Sequence, residues 1–384
     1  MNSPRAVLHV GLPKTGTSFL QGVLRGNAEV LERHGVRLPD GSKTPSQQLF
    51  LAVLYLTGRS ETWGRSADAG RRAWERFAAD VRRRGGTTVI SSETLCLATD
   101  EQIGRILSDL RGVSGEVDVD VVVTVRDPAR QVPAEYQEGV KHGRRLSYPK
   151  FLDTVLAPDG ADGKRGSTRR RFWNAQDPVA VLDRWAARVG PEHCHVVTCP
   201  PPGADPTLLW SRMAHVLGVD EVAVEMPPRE VNTSLGAVQI EVLRRLNRRV
   251  TRQGNERVYG DVVKRLYAGT ILRGQGGDKL RLPAAYADRV RSLASEWVEQ
   301  LTERGYPVSG DLADLVPEVP ERDAETRTGA ATMLVSSLDA TAELLREVER
   351  LREENSRLRT ESAGSRLRRR RPAKAVKAGA GGRL

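Results

Sequence analysis

The run His9-Val10-Gly11-Leu12-Pro13-Lys14-Thr15-Gly16-Thr17-Ser18 constrains this chain more than any other segment. An apolar stretch, Ala6 to Val10, leads into it, and an apolar-periodic one (Phe19, Leu20, Val23, Leu24) leads out. Strand, glycine-bounded turn and helix in that order are the layout of a phosphate-binding loop, in which backbone N–H groups and a helix N-terminus face an anion. The residue order is wrong for a nucleoside triphosphatase. That motif runs G-x-x-x-x-G-K-[ST]; Gly11 and Gly16 keep its spacing, but Thr17 stands at the lysine position. The lysine sits inside the turn instead, as Lys14.

Four further segments have strand character. Residues 87–91 and 117–125 are β-branched and apolar, 193–198 ends at a proline-rich turn, and 35–39 is a short candidate. Helix-like stretches fall between and after them, at 68–84, 100–111, 178–189 and 206–217. Strands alternating with helices predict an α/β fold of three layers, with a central parallel sheet covered on both faces. Ligands of such sheets lie at the C-terminal ends of the strands, where the Lys14 loop falls. From about residue 235 the pattern turns helical (235–252, 284–304), interrupted by the glycine-rich Arg273-Gly274-Gln275-Gly276-Gly277-Asp278.

At 384 residues, one α/β domain of about 300 residues with extensions is expected. The division predicted is 1–320 for that domain, 321–332 for a linker, 333–361 for a coiled-coil-like helix and 362–384 for a basic, disordered tail. Residues 365–384 carry eight basic side chains and no acidic one, so most of the net +11 charge sits there and the body is only mildly basic. Such a tail fits a solubilising segment or contact with an anionic surface. No apolar run approaches a membrane span, and no apolar signal region follows Met1, which predicts a cytoplasmic protein. Cys96, Cys194 and Cys199 have no metal-like spacing and read as reduced core residues.

Leu344, Val348, Leu351, Asn355 and Leu358 alternate at four and three residues, a heptad seam. With Val348 and Asn355 at position a, the g-to-e pairs Glu347/Arg352 and Glu354/Arg359 are of opposite sign. Asparagine at an a position commonly specifies a parallel dimer, so residues 334–361 are a candidate for homodimerisation. A helix packed on its own domain fits the same pattern.

The displaced Lys14, followed by Thr15-Gly16-Thr17-Ser18, resembles the 5′-phosphosulfate loop of the P-loop sulfotransferases, which use 3′-phosphoadenosine-5′-phosphosulfate (PAPS). Among these the chain looks most like bacterial, carbohydrate-type members. The resemblance implies that residues 14–18 hold the 5′-phosphate without a metal, and that Lys14 offsets charge building on the leaving phosphate. Val121 to Pro128, a strand ending in Arg126-Asp127-Pro128, is similar to the family's 3′-phosphate segment. There a bidentate guanidinium suits phosphate. A serine eight residues on is usual in the family; here it is Ala134, and Arg130 or a hydroxyl elsewhere is the candidate substitute. Arg273 and Gly274 are similar to a late basic loop that closes over the 3′-phosphate. For the base at the acceptor, Glu93 at a strand end is the first candidate and His142 the reserve.

The expected activity is therefore PAPS-dependent transfer of a sulfuryl group to a hydroxyl or amine of a glycan or small metabolite. A P-loop small-molecule kinase, or a non-catalytic coiled-coil protein that binds polyanions, are the alternatives from other classes. Thr17 at the lysine position and the lack of a metal-carboxylate segment count against the kinase.

Overall fold

A computed structural model of the chain describes residues 3–39, 45–113, 115–157, 164–227, 234–250, 258–319 and 329–369. Six strands form the sheet: β1 Pro4–Gly11, β2 Val36–Arg37, β3 Gly86–Ser91, β4 Asp118–Val125, β5 Cys194–Thr198 and β6 Val308–Ser309. Their order is β2-β3-β1-β4-β5-β6, and every pairing is parallel. The helices are α1 Thr17–Gly26, α2 Ala28–Arg33, α3 Pro45–Leu56, α4 Ala67–Arg83, α5 Asp100–Arg111, α6 Pro128–Lys141 and α7 Tyr148–Val155. They continue with α8 Lys164–Gln176, α9 Pro178–Val189, α10 Leu208–Leu217, α11 Ala237–Asn247, α12 Tyr259–Leu272, α13 Ala287–Glu303 and α14 Ala330–Arg369.

Strand alternation sorts the two sheet faces. Ala6, Leu8 and Val10 of β1 and Val119, Val121, Val123 and Val125 of β4 point to one side. They pack there against Trp74 and Phe77 of α4, Ile103 of α5 and Trp185 of α9. Val7 and Val122 point to the other, against Leu20 and Val23 of α1 and Trp210 and Met213 of α10. The strands are buried on both faces, which is why Val121 to Val125 of β4 is β-branched throughout. Local signals start the helices where they begin: Ser66 accepts from Ala69 N at α4, and Thr99 and Gln102 form a capping box at α5. A third core, outside the sheet, joins α6, α7, α11 and α12 around Tyr136, Phe151 and Leu243.

At the N-terminal edge of the strands, Asp120 of β4 accepts from Arg5 of β1 and from His193 Nδ1 at 2.8 Å, with His195 Nε2 3.5 Å away. Burial alone would raise this carboxyl, but those three partners hold it well below the usual range. The cluster ties β1, β4 and β5 together at the end opposite the Lys14 loop.

The predicted strands and helices lie within a few residues of observed ones. Not predicted are β6, α2, α3, α7, α8, the proline-containing α6 and α12, which is a π-helix. Residues 330–332, placed in the linker by sequence, and 362–369, placed in the tail, belong instead to the single helix α14. Ala330 and Ala331 favour the helix at its start, and at its far end it runs through Gly364 with no proline before Pro372 to stop it. The remaining linker residues up to 328 and the tail from 370 lie outside the described residues. All three cysteines are free and buried. No helix among the described residues is long and apolar enough to cross a membrane.

Candidate active site

The loop between β1 and α1 turns at two glycines. Gly16 has φ +89°, and a Cβ there would meet Leu209 Cδ2 at 2.4 Å, so only glycine fits. Gly11, at φ +115°, lies so close that a Cβ would be 3.2 Å from Glu93 Cα. Lys14 itself adopts φ +68°, a left-handed conformation that costs a non-glycine residue about 1–2 kcal/mol. The backbone N–H groups of Lys14, Thr15, Gly16, Thr17 and Ser18 have no acceptor among the described residues. The first turn of α1 contains no acidic side chain to supply one. Five such donors leading into a helix N-terminus are a candidate anion nest.

Side chains beneath the loop hold it in this shape. Thr15 Oγ1 donates to Leu12 O and meets Thr124 Oγ1, which donates to Gly11 O at 3.0 Å. Thr17 Oγ1 also turns inward, to Leu12 O at 3.3 Å, and Cys199 Sγ donates to Thr15 O at 2.9 Å. Of the three hydroxyl residues assigned to the anion by sequence, only Ser18 is exposed; Thr15 and Thr17 are buried, with their hydroxyls bonded inward. His9 is fully buried below, with Nδ1 2.8 Å from Ser91 Oγ and Nε2 3.2 Å from Thr124 Oγ1.

Burial lowers the His9 imidazole from 6.5 to about 4. The folded protein therefore refuses a proton that the unfolded chain accepts, and stability falls as pH drops from about 6.5 to about 4. At about 1.4 kcal/mol per pH unit, the loss from this residue reaches about 3 kcal/mol at pH 4. Urea denaturation of the wild type and of His9→Gln across this range should show the wild type losing the more stability on acidification. Equal slopes would mean that His9 is protonated in the fold.

Lys14 Nζ lies 2.7 Å from Glu138 Oε2 of α6. Glu138 is the hub of a wider network: His142 Nε2 is 3.0 Å and Lys264 Nζ 3.4 Å from its Oε1, and Lys141 Nζ is 3.8 Å from Oε2. Burial would raise the Glu138 carboxyl, but the His142 hydrogen bond and the Lys14 charge outweigh it and hold the group far below the usual range. Lys141 is lowered, first by burial and then by the like charges of Lys14, Arg273 and Lys264. Thus Arg273, at the C-terminal end of α12, shares a cationic neighbourhood with Lys14, and Gly274 beside it is exposed. Glu138, Lys141 and Lys264 were not singled out by sequence. The Glu138/His142 spacing of four on a helix is the one signal that could have marked them.

Arg126, at the end of β4, donates from Nη1 to Lys14 O at 3.2 Å, so this guanidinium abuts the nest. Burial lowers it and the neighbouring Arg130 adds to the effect. Arg130 is differently employed: its Nε pairs with Asp127 and its Nη1 donates to Pro200 O at 2.9 Å. Asp127 in turn caps α6 through Arg130 N at 2.9 Å. Ala134, half-buried on α6, brings no hydroxyl.

Glu93 opens a short 3₁₀ turn after β3, beside the loop because Ser92 N donates to His9 O at 2.9 Å. Its carboxylate is half-buried and has no hydrogen-bond or ion-pair partner among the described residues. His142, by contrast, has Nε2 2.6 Å from Lys264 Nζ and is taken up in the Glu138 network. A second carboxylate was overlooked by sequence. Glu135, one turn before Glu138, is raised by burial, a shift opposed by Arg144 and Lys14. Burial pushes the Cys96 thiol, in the turn that Glu93 opens, up to about 12.

N–H groups without acceptors at the C-terminal edge of a parallel sheet, with Lys14 and Arg126 at them and Glu93 alongside, make this edge a candidate anion site with acid–base groups at hand. No family model and no curated protein matches the chain. Among solved structures, a sulfotransferase from Alicyclobacillus acidocaldarius is similar at 18% identity, with a TM-score of 0.36, over 58% of this chain and 86% of that one. A likeness that loose carries no argument about chemistry, which has to come from the residues above.

Proposed function

We propose that the protein is a sulfotransferase that moves a sulfuryl group from PAPS to a hydroxyl or amine acceptor. The observation that carries this is the Lys14 loop, whose five unaccepted N–H groups offer a seat for one phosphate, with the lysine inside the turn and Arg126 donating to its carbonyl. A triphosphate loop places its lysine after the second glycine, where Thr17 stands. The N–H groups of residues 14–18 and the Ser18 hydroxyl would hold the 5′-phosphate. Arg126, with Arg273 and Gly274 closing from α12, would take the 3′-phosphate. Arg130 would act mainly by fixing the start of α6 through Asp127.

In the transfer, the acceptor oxygen or nitrogen bonds to sulfur as the bond from sulfur to the bridging oxygen breaks. The electron pair stays on the departing phosphate and the acceptor proton passes to Glu93. Lys14 lies where that negative charge grows, and Glu138 holds its ammonium in place. A carboxylate without internal partners is free to take a proton, which favours Glu93 over His142 as the base.

The test is product identity. The protein is incubated with PAPS and panels of glycans and hydroxylated metabolites, and acceptors are read by mass spectrometry for one added SO₃. Formation of 3′-phosphoadenosine-5′-phosphate (PAP) in step with a sulfated product is the expected result. Phosphorylated products from ATP in a parallel incubation, with no sulfated ones, would overturn it.

A further inference from the structure

His9 is fully buried below the Lys14 loop, and the transfer chemistry leaves it without a part. It follows Val7 by two residues in β1 and shares the sheet face that α1 covers. Its Nδ1 is 2.8 Å from Ser91 Oγ of β3 and its Nε2 is 3.2 Å from Thr124 Oγ1 of β4. On one side of this pair, Gln21 of α1 donates from Nε2 to Ser91 Oγ at 3.2 Å and to Ser91 O at 3.1 Å. On the other, the Thr124 and Thr15 hydroxyls donate to Gly11 O and Leu12 O of the loop. A hydrogen-bonded chain thus runs from α1 through β3, His9 and β4 into the carbonyl groups of the loop.

The protons along this chain fix the tautomer of the ring. Each hydroxyl has one proton to give, and a carbonyl oxygen only accepts. The Thr124 and Thr15 protons therefore go to Gly11 O and Leu12 O, and the contact between the two hydroxyls draws on the same pair. None is left on Thr124 for the ring, so Nε2 has to donate to Thr124 Oγ1. Burial keeps the imidazole neutral above about pH 4. Nδ1 then carries no proton and accepts from Ser91 Oγ, which in turn accepts from Gln21. With the proton on Nδ1 instead, Thr124 would have to turn to Nε2 and release Gly11 O.

We infer that His9 is a positioning residue for the anion site: with its proton on Nε2 it aims the Thr124 hydroxyl at Gly11 O, holds the carbonyl side of the loop inward and leaves the N–H groups of residues 14–18 for the anion. His9 O also accepts from Ser92 N at 2.9 Å, so the same residue ties the strand end that carries Glu93 to the loop. The inference rests on the loop being an anion seat, as the proposed function has it, and holds whichever donor molecule the loop takes.

The tautomer is read by nitrogen-15 NMR of the histidine-labelled full chain, with the His9 signals identified by their absence in His9→Gln. A protonated Nε2 beside an unprotonated Nδ1 at pH 7 is expected, and a proton on Nδ1 overturns the inference. The role is read by calorimetric titration with inorganic phosphate and with PAP. His9→Leu should weaken both by about tenfold, the usual effect of leaving one buried polar group without its partner. Thr124→Val should reproduce that loss, while Thr124→Ser, which keeps a hydroxyl, should bind as the wild type does. The double variant His9→Leu with Thr124→Val should lose no more than either alone, because both act through one bond. Wild-type affinity in His9→Leu or in Thr124→Val, or full additivity in the double variant, overturns the positioning role alone. If His9→Leu does not fold, the tautomer and the two Thr124 variants still decide. A wild type that binds neither anion overturns the role together with the reading of the loop as an anion seat.

Discussion

Replacing Lys14 with alanine is expected to lower the rate of sulfuryl transfer by about 10²–10³-fold, the usual effect of removing one group that meets charge developing in the transition state. The loop should survive the change, because its shape is set by Thr15, Thr124, Cys199 and the two glycines rather than by the lysine side chain. Removing a non-glycine side chain larger than alanine from φ +68° brings no new clash. The loss should therefore fall on kcat, with a smaller effect on the affinity for PAP, since the N–H groups remain. Glu138→Gln is the companion variant. It removes the anion 2.7 Å from Nζ but leaves the lysine, and the rate should fall less than in Lys14→Ala. Steady-state kinetics with saturating PAPS separate the two terms. A Lys14→Ala enzyme with unchanged kcat would remove this residue from the chemistry.

The second large effect is expected at Arg126. Hydrogen bonds to charged groups contribute about 1.5–3 kcal/mol each, so Arg126→Ala should weaken PAP by about 10–100-fold. Adenosine 5′-phosphosulfate, which lacks the 3′-phosphate, should be much less affected. This contrast matters because Arg126 also donates to Lys14 O, and its loss could loosen the nest itself. Loosening would weaken both ligands alike. Calorimetric titration of wild type and variant with both compounds distinguishes the two, and equal losses would reassign Arg126 to loop support. Arg126→Lys should recover only part of the affinity, because an ammonium cannot reproduce the bidentate contact.

The sheet could be read along the chain because buried parallel strands declare themselves. Val121 to Val125 is β-branched or apolar throughout, and each of the strands β1, β3 and β5 ends at a turn signal. Two-residue β6 is too short to leave a pattern. The helix α6 was hidden by Pro128 and Pro133; the first sits at the favoured N-terminal position, while the second is an interior proline that local propensity argues against. A π-helix such as α12 lacks the 3.6-residue period by which helices are recognised.

The site divides in the same way. Lys14, Arg126 and Glu93 all stand at strand ends, and strand ends of a parallel sheet meet at one edge, so their grouping was predictable. The partner of Lys14 was not. Glu138 lies 124 residues further on and reaches Lys14 only through the packing of α6. Glu135 is distinctive through its burial, which no spacing encodes. Arg130 was ambiguous because a guanidinium next to Asp127 suits a phosphate and a helix cap equally; its bonds to Asp127 and Pro200 place it in the second role. For α14, sequence offered a coiled coil or a helix packed on its own domain; in the structure Met333, Ala340 and Leu344 pack on the helical core, and Val348, Leu351 and Leu358 further along are exposed.

Titration of the wild-type protein with PAP, AMP and ATP·Mg²⁺ tests the central claim most directly, because it asks which anion the Lys14 loop was built for. PAP should bind tightest, at least about tenfold more tightly than AMP, since the added 3′-phosphate gains charge-assisted hydrogen bonds. Tight binding of ATP·Mg²⁺ with no measurable affinity for PAP would contradict the account.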